Sequence, residues 1–239
     1  MKQKKESRLG RDFFTVDGLT LAKNLLGKIL VHDTPYGKVR VLITETEAYM
    51  GVEDKGSHSY GGRRTERTEP MFHIGGTSYV YLIYGMYSCM NVAARVEGIP
   101  QAVLIRMGEP ADEVSREIMM RLRLEDQEAR RSRRAKGAES WKENVAETAP
   151  EAAARRKNLE KNLAKHLADG PGRLCIAMHI TRADNDLDMV ESDSFYWTDG
   201  VEVLPEEIEA GKRIGIDYAQ EAADYPWRFT LGRLNGGKG

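Results

Sequence analysis

The residues best suited to acid/base chemistry in this 239-residue chain are two glutamates, Glu45 and Glu47, in a β-branched run. Side chains alternate between the two faces of a strand, so a strand over 43–49 would group alternate residues. One predicted face carries Ile43, Glu45, Glu47 and Tyr49, and the other carries Thr44, Thr46 and Ala48. A carboxylate beside a reacting atom can activate water for hydrolysis. A solvated strand face would show the same pattern, so the neighbouring motifs must decide.

A tyrosine-rich stretch follows, and its flat rings are surfaces on which a nucleobase can stack. The predicted hairpin over 77–95 carries Tyr79 and Tyr81 on one strand face, Tyr84 at the YGMY turn and Tyr87 just after it. An exposed ring at a hairpin tip, here Tyr84, is a candidate wedge between base pairs. Tyr79 and Tyr87 also fit buried core positions. Together with the two glutamates, these rings favour an enzyme that handles a nucleobase.

A glycine-rich, basic loop over residues 50–76 separates these two motifs. Long ordered loops in compact domains are usually functional. His58, in this loop, fits a structural role as well as a catalytic one. Asn91, on the strand that returns from the hairpin, is an uncommon strand residue whose amide needs a partner if it is buried.

Composition and charge narrow the class of protein. The net charge is −1 and the acidic excess falls after residue 170, which permits a basic DNA-binding face without demonstrating one. No apolar run is long enough to span a bilayer, and the N-terminus lacks the apolar core of a signal peptide. We therefore expect a cytoplasmic protein, associated with the nucleoid if it is bacterial, and no membrane partner. Cys89 and Cys175 are predicted to be buried thiols, and the histidines lack metal-ligand spacing, so no metal and no cofactor are expected.

The elements that must position these residues form clusters rather than a regular βα alternation. A helix is predicted over 15–26 with Asp17 as its N-cap, and another after 170–172. Strands are predicted over 28–33, 39–49, 77–84, 87–95, 102–107, 195–197, 201–204 and 213–218. The pattern predicts a single α+β domain over 1–239, with a mainly antiparallel curved β-sheet, flanking helices and a protruding β-hairpin.

One segment differs in character from the rest of the chain. Residues 111–168 are dominated by Ala, Glu, Arg and Lys, and are predicted to be a charged, helical insertion in the domain. The run RRSRRAK at 130–136 fits a DNA-binding arm, but charge runs of this kind are more often solvated helix faces or loops.

Seven motifs, taken together, resemble the alkyladenine (3-methyladenine) DNA glycosylase family. They are LLGKILV at 25–31, ETEAYMG at 45–51, SHSYGGRRTERTEPMF at 57–72, TSYVYLIYGMYSCMNV at 77–92, LIRMGEP at 104–110, GPGRLCIAM at 170–178, and RIGIDYA with PWRF at 213–219 and 226–229. The motifs are long, occur in order and cover nearly the whole chain. Residues 111–168 match none of them.

The resemblance implies a base-excision repair enzyme that flips an alkylated or deaminated purine out of duplex DNA and hydrolyses its N-glycosidic bond. It implies that Glu47 activates the attacking water and that Arg106 helps to hold that water. The walls around the extruded base would be Tyr49, His58 and Tyr81, with Asn91 at the edge of the base. The resemblance assigns no role to Glu45. An abasic site is the expected product, without strand cleavage.

The resemblance also implies contacts with double-stranded DNA that contains damaged purines. The residues at these DNA-binding positions are Tyr84, Met86, Tyr87, Arg63, Thr65 and Arg173, of which Tyr84 would fill the gap left by the extruded base. A monomer is expected. Two other classes fit parts of the sequence: a hydrolase of free nucleosides would not need the Tyr84 wedge, and a catalytically silent nucleic-acid-binding module would not need Glu47.

Overall fold

The computed structural model describes residues 7–83, 85–138 and 148–232. The chain opens with two short helices, α1 (Arg11–Phe14) and α2 (Gly18–Asn24). The Asp17 side chain accepts hydrogen bonds from the backbone N–H groups of Leu19 and Thr20, so the predicted N-cap is confirmed. The predicted helix over 15–26 was too long at both ends. At its C-terminal side the chain leaves the helix because the Gly27 N–H donates to Ile43 O in the sheet.

In the part of the chain that the structure describes, eight antiparallel strands form one sheet around which the helices lie. They are β1 (Ile29–Thr34), β2 (Gly37–Tyr49), β3 (Ser78–Ile83), β4 (Tyr87–Ala94), β5 (Gln101–Pro110), β6 (Phe195–Thr198), β7 (Ile208–Gly211) and β8 (Arg228–Leu231). The order along the sheet is β3-β4-β5-β2-β1-β6, and β8 pairs with both β2 and β7. The sheet is curled, with flanking helices, so the predicted α+β class and its antiparallel curved sheet are confirmed.

The long strand β2 contains an irregularity that changes which residues share a face. Its pairing with β5 shifts register on both sides of Glu45. Before this point Val41 and Ile43 lie in the main hydrophobic core, whereas after it Ala48 does. The predicted grouping of Ile43 with the two glutamates was therefore wrong, because strict alternation fails across a β-bulge. After the bulge, Thr46 and Ala48 lie on the face toward the core, and the two glutamates lie on the opposite face.

Three more α-helices follow in the described chain: α3 (Glu113–Ala138), α4 (Ala149–Lys165) and α5 (Pro171–Ala177). The first half of α3 is part of the main core through Ile118, Met119 and Leu122, which cluster with Leu174 of α5. α4 begins with a capping box between Thr148 and Glu151. The interpretation of 111–168 as an insertion stays a prediction, but its first helix is packed on the sheet.

Two predicted strands were wrong. Residues 201–204 form no strand, although the Val201 N–H donates a hydrogen bond to Gly27 O at 2.9 Å. Residues 213–218 are interrupted by Gly215, whose φ is +79°, and continue into 3₁₀ turns over Asp217–Asp224. Strands β7 and β8 lie on either side of that segment. Among the described helices, none has the length and apolarity to cross a membrane.

Candidate active site

A cavity of about 420 Å³ lies between the β3–β4 hairpin, the loop over 50–76 and the segment over 213–218. That volume lies within the range typical of small-molecule sites. Its lining includes five of the residues singled out from the sequence: Tyr49, His58, Tyr81, Asn91 and Arg106. The structure therefore brings together residues from β2, β3, β4, β5 and the glycine-rich loop.

Glu47 lies fully buried next to this cavity, on the face of β2 opposite the core. Its Oε1 accepts a hydrogen bond from the backbone N–H of Ile214 at 2.8 Å and lies 3.2 Å from Arg106 Nη1. Its Oε2 accepts a hydrogen bond from the Tyr49 hydroxyl at 2.9 Å. Burial raises the pKa of Glu47 above its ordinary value, and the charge of Arg106 and the Ile214 amide oppose that rise.

Glu45 and Arg106 form a buried network with Glu47. Arg106 Nε donates to Glu45 Oε1 at 2.8 Å, while the same guanidinium reaches Glu47. Arg228 Nη1 lies 3.5 Å from the same Glu45 oxygen. The sequence assigned no role to Glu45; in the structure its carboxylate accepts from the same guanidinium that reaches Glu47.

His58 and two tyrosines form an aromatic cluster at the cavity. The His58 ring meets Tyr81 edge-on, with ring centroids 4.7 Å apart and an interplanar angle of 75°. His58 Nδ1 hydrogen-bonds the Tyr79 hydroxyl at 2.9 Å. Burial, with the positive charges of Arg67 and Arg63, lowers the pKa of His58 to about 4. His58 is therefore neutral at pH 7, and the cavity has an uncharged aromatic wall there.

Asn91 lies buried on β4 where the cavity meets the sheet. Its Nδ2 donates to the backbone carbonyl of Tyr79 at 3.0 Å, and Tyr79 is also its partner in the β3–β4 register. This bond supplies the partner that a buried strand amide requires. It also fixes the position of Asn91 relative to the aromatic cluster.

Of the residues predicted to contact DNA, Tyr84 falls outside the described residues and none of the others lines the cavity. Met86 at the hairpin tip is 65% exposed. Arg63 and Thr65 line a second, smaller groove that shares His58 and Arg67 with the cavity. Arg173 lies on α5, half-exposed, and pairs with Asp169 at 2.7 Å.

Tyr87 lies differently from the other predicted DNA-binding residues, because two helices enclose its ring. A Cβ on Gly172 of α5 would lie 3.1 Å from Tyr87 Cδ1. Arg130 of α3 donates to the Tyr87 hydroxyl at 2.9 Å and stacks its guanidinium 4.5 Å from the ring centroid. These contacts give Tyr87 a packing role next to the turn of the hairpin.

Sequence reasoning missed several residues of the site. Arg213 stood in the quoted motif RIGIDYA without a role, and Asp54 carried no signal of its own, yet they form a fully buried ion pair beneath Tyr49. Arg67 was counted only as part of a basic cluster, but its guanidinium lies 5.0 Å from the Tyr81 ring centroid. Within the described chain, no three acidic, histidine or cysteine side chains group closely enough to hold a metal ion.

The structure has a curled antiparallel sheet with a buried glutamate beside an aromatic cavity. This arrangement is the one expected of a hydrolase that acts on a flat, aromatic substrate. The sequence model of the methylpurine-DNA glycosylase family matches residues 12–234. The chain therefore belongs to the methylpurine-DNA glycosylase family, and it is a DNA glycosylase for alkylated bases.

Curated relatives agree with this assignment. A protein of Desulfitobacterium hafniense named "Putative 3-methyladenine DNA glycosylase" is 42% identical over 224 residues, which cover 94% of this chain and 95% of the relative. Proteins of the same name from Clostridium acetobutylicum and Clostridium novyi are 42% and 41% identical, and each match covers 94% of both chains.

Proposed function

We propose that this enzyme flips an alkylated or deaminated purine nucleotide out of double-stranded DNA and hydrolyses its N-glycosidic bond with a water molecule that Glu47 activates. The observation that carries the proposal is the position of Glu47: a buried carboxylate with a raised pKa, held by Arg106 and the Ile214 amide beside an aromatic cavity. A base with a raised pKa binds a proton more readily than an ordinary carboxylate does.

The two oxygens of Glu47 differ in a way that suits this role. Oε1 is held by Arg106 and by the Ile214 N–H, whereas Oε2 bonds the Tyr49 hydroxyl. Oε2 is therefore the oxygen that takes the proton from water. The water oxygen forms a bond to the sugar C1′, and the electron pair of the broken glycosidic bond leaves with the base. Alkylation at N3 or N7 makes the purine cationic, so this pair neutralises it, whereas a neutral purine such as hypoxanthine must also take up a proton from solvent as it leaves.

Extrusion of the base comes before hydrolysis, because a stacked base hides its C1′ atom inside the duplex. Flipping costs a few kcal/mol and costs least at damaged or mismatched pairs. Tyr49, His58 and Tyr81 would receive the base, and Tyr84 would fill the gap in the stack. A neutral His58 suits a cationic alkylpurine, because an imidazolium there would repel it. Asn91 at the cavity edge would oppose the exocyclic amine of an undamaged guanine.

Substitution of the general base tests the proposal. Glu47→Gln keeps the size of the side chain but removes its basicity, so single-turnover excision should fall by roughly 10²- to 10⁴-fold. The assay uses duplexes that carry 3-methyladenine, 7-methylguanine, hypoxanthine or ethenoadenine, followed by alkali to cleave abasic sites. Binding of the lesion duplex should persist.

Glu109→Gln, which changes an exposed glutamate on β5, is the matched control and should excise at the wild-type rate. Near-normal excision by a folded Glu47→Gln protein would move the chemistry to another residue. Strand cleavage without alkali would contradict a monofunctional enzyme. Activity on free nucleosides, without activity on duplexes, would favour a nucleoside hydrolase.

A further inference from the structure

Asp54 and Arg213 form an ion pair in which neither side chain is exposed to solvent. Arg213 Nη1 lies 2.5 Å from Asp54 Oδ2, and Nη2 lies 2.7 Å from Oδ1, so the pair is bidentate. Neither residue lines the cavity. The pair therefore touches neither the base nor the attacking water in the proposed reaction, and any effect on catalysis must act through its neighbours.

The hydrogen bonds of the pair join three chain segments that build the site. Arg213 donates to the carbonyls of Ala48, at the end of β2, and Ala222, at 3.0 and 3.1 Å. Asp54 accepts from the backbone N–H groups of Met50 and Gly56 at 3.0 and 2.9 Å. One pair thus ties β2, the loop that leads to His58, and the segment over 213–222.

The pair also lies next to two parts of the proposed active site, the Tyr49 ring and the Ile214 amide. The Arg213 guanidinium lies 4.8 Å from the ring centroid of Tyr49 and 4.9 Å from that of Trp227, so both rings pack against it. The residue after Arg213 is Ile214, whose N–H donates to Glu47. A shift of Arg213 therefore moves a wall of the cavity and a hydrogen bond to the general base together.

Stability alone gives little reason for such a pair, because well-packed apolar side chains often stabilise a core as well as a buried ion pair does. The directional bonds of a guanidinium supply what apolar packing does not, which is a fixed position for each segment. We infer that Asp54 and Arg213 are positioning residues that hold the Tyr49 ring and the Ile214 amide in register with Glu47. This inference rests on the proposed role of Glu47.

Arg213→Lys is the main test, because lysine keeps the positive charge but cannot make the four bonds of the planar guanidinium. Displacement of a reacting geometry by about 1 Å costs up to roughly 100-fold in rate, so single-turnover excision should fall about 10- to 100-fold. Loss of the Ile214 N–H bond should move the midpoint of the acidic limb of the pH–rate profile up by about one pH unit, since that bond favours the ionised form of Glu47.

A pH profile reports on Glu47 together with the groups that face it. Those groups are Arg106 on β5, Glu45 and Tyr49 on β2, Tyr81 on β3 and Cys89 on β4. None of them is changed in Arg213→Lys, so a shift of the limb comes from the altered geometry.

Asp54→Asn is the second variant, and it keeps the test decisive if Arg213→Lys does not fold. It should lower single-turnover excision about 10- to 100-fold while the lesion duplex still binds. Asp184→Asn is the matched control, because Asp184 pairs with His32 in another buried pair, with side chains 16% and 6% exposed, away from the cavity lining. It should lower the melting temperature and leave the rate and the acidic limb unchanged.

The inference is wrong if folded Arg213→Lys or Asp54→Asn excises at the wild-type rate with the wild-type acidic limb. It is also wrong if Asp184→Asn, at an equal loss of melting temperature, loses as much activity. These results differ from a failure of the proposed function, in which Glu47→Gln itself would remain active. An inactive Glu47→Gln beside an unaffected Arg213→Lys would remove only the positioning role.

Discussion

A single residue, Glu47, illustrates how catalysis and stability are opposed in this site. Its pKa is raised in the folded chain, so the ionised form is less favoured there than in the unfolded chain. Its contribution to folding is therefore most favourable below the ordinary carboxyl pKa and declines as pH rises through the folded value. In the proposed reaction, the same property makes Glu47 a stronger base than an ordinary carboxylate.

His58 shows the opposite behaviour, which gives a prediction at the level of one residue. Its folded pKa of about 4 lies below the ordinary 6.5, so its contribution to stability is complete above pH 6.5 and falls as pH drops toward 4. The free energy of unfolding of wild type should therefore fall more between pH 7 and 4.5 than that of His58→Gln, which has no imidazole to protonate.

Denaturant unfolding at the two pH values measures this difference, and the NMR titration of the His58 ring protons should have its midpoint near 4. A midpoint near 6.5 would mean that the ring is solvated. In that case the cavity would carry a positive charge at mildly acidic pH, and the neutral wall proposed for a cationic purine would not exist.

At the scale of elements, the helix α3, which is part of the charged segment, contacts the hairpin through Arg130. Arg130 bonds the Tyr87 hydroxyl and covers its ring, and its Nε also pairs with Asp126 at 2.7 Å. The proposed wedge lies at the turn beside Tyr87, so a hairpin that loses this contact should hold an extruded base less well. The first residue of the run RRSRRAK, Arg130, therefore has a structural role at the hairpin.

Arg130→Gln should therefore weaken base extrusion by roughly three- to tenfold, the loss expected for one hydrogen bond and one cation–π contact. A fluorescent base analogue beside the lesion measures the flipped fraction. Arg133→Gln is the control, because the Arg133 side chain is exposed and its Nε bonds Ala129 O of its own helix. Equal losses in the two variants would indicate a general effect of positive charge on DNA binding rather than support of the hairpin.

Some elements of the fold could be predicted from the sequence, and others could not. Strands β1 to β6 and the Asp17 cap were predictable, because β-branched runs and a capping side chain are local signals. The bulge at Glu45 was not, because it depends on pairing with β5, which no local pattern records. The site residues within family motifs were predicted from the sequence, and five of them line one cavity. The Asp54–Arg213 pair was not, because its partners lie 159 residues apart.

At the scale of the whole molecule, the architecture depends on contacts that a linear pattern does not contain. β2 pairs with β1 along its first half and with β8 along its second, so one strand joins two parts of the sheet. β8 (Arg228–Leu231) was not predicted from the sequence, which placed a strand at 213–218 instead. The composition of 111–168 suggested a charged, helical insertion in the domain, and its first helix, α3, lies against the sheet and α5.

The last prediction concerns whether the charged segment belongs to the folding unit. Met119 of α3 is fully buried in the main core, while Val114, one turn earlier, is 63% exposed. Met119→Ala should lower the free energy of unfolding by about 2–4 kcal/mol, because it leaves a cavity in a packed core. Val114→Ala should change it by less than about 0.5 kcal/mol.

Denaturant unfolding, followed by both tryptophan fluorescence and far-ultraviolet circular dichroism, measures the two values. One cooperative transition with coincident signals is expected for both variants, because α3 and the sheet share one core. A small effect of Met119→Ala, or a separate helical transition, would mean that the segment is an independent appendage. The charged surface of α3 would then be a feature added to the glycosylase domain, and Arg130 would hold the hairpin only while that appendage remained folded.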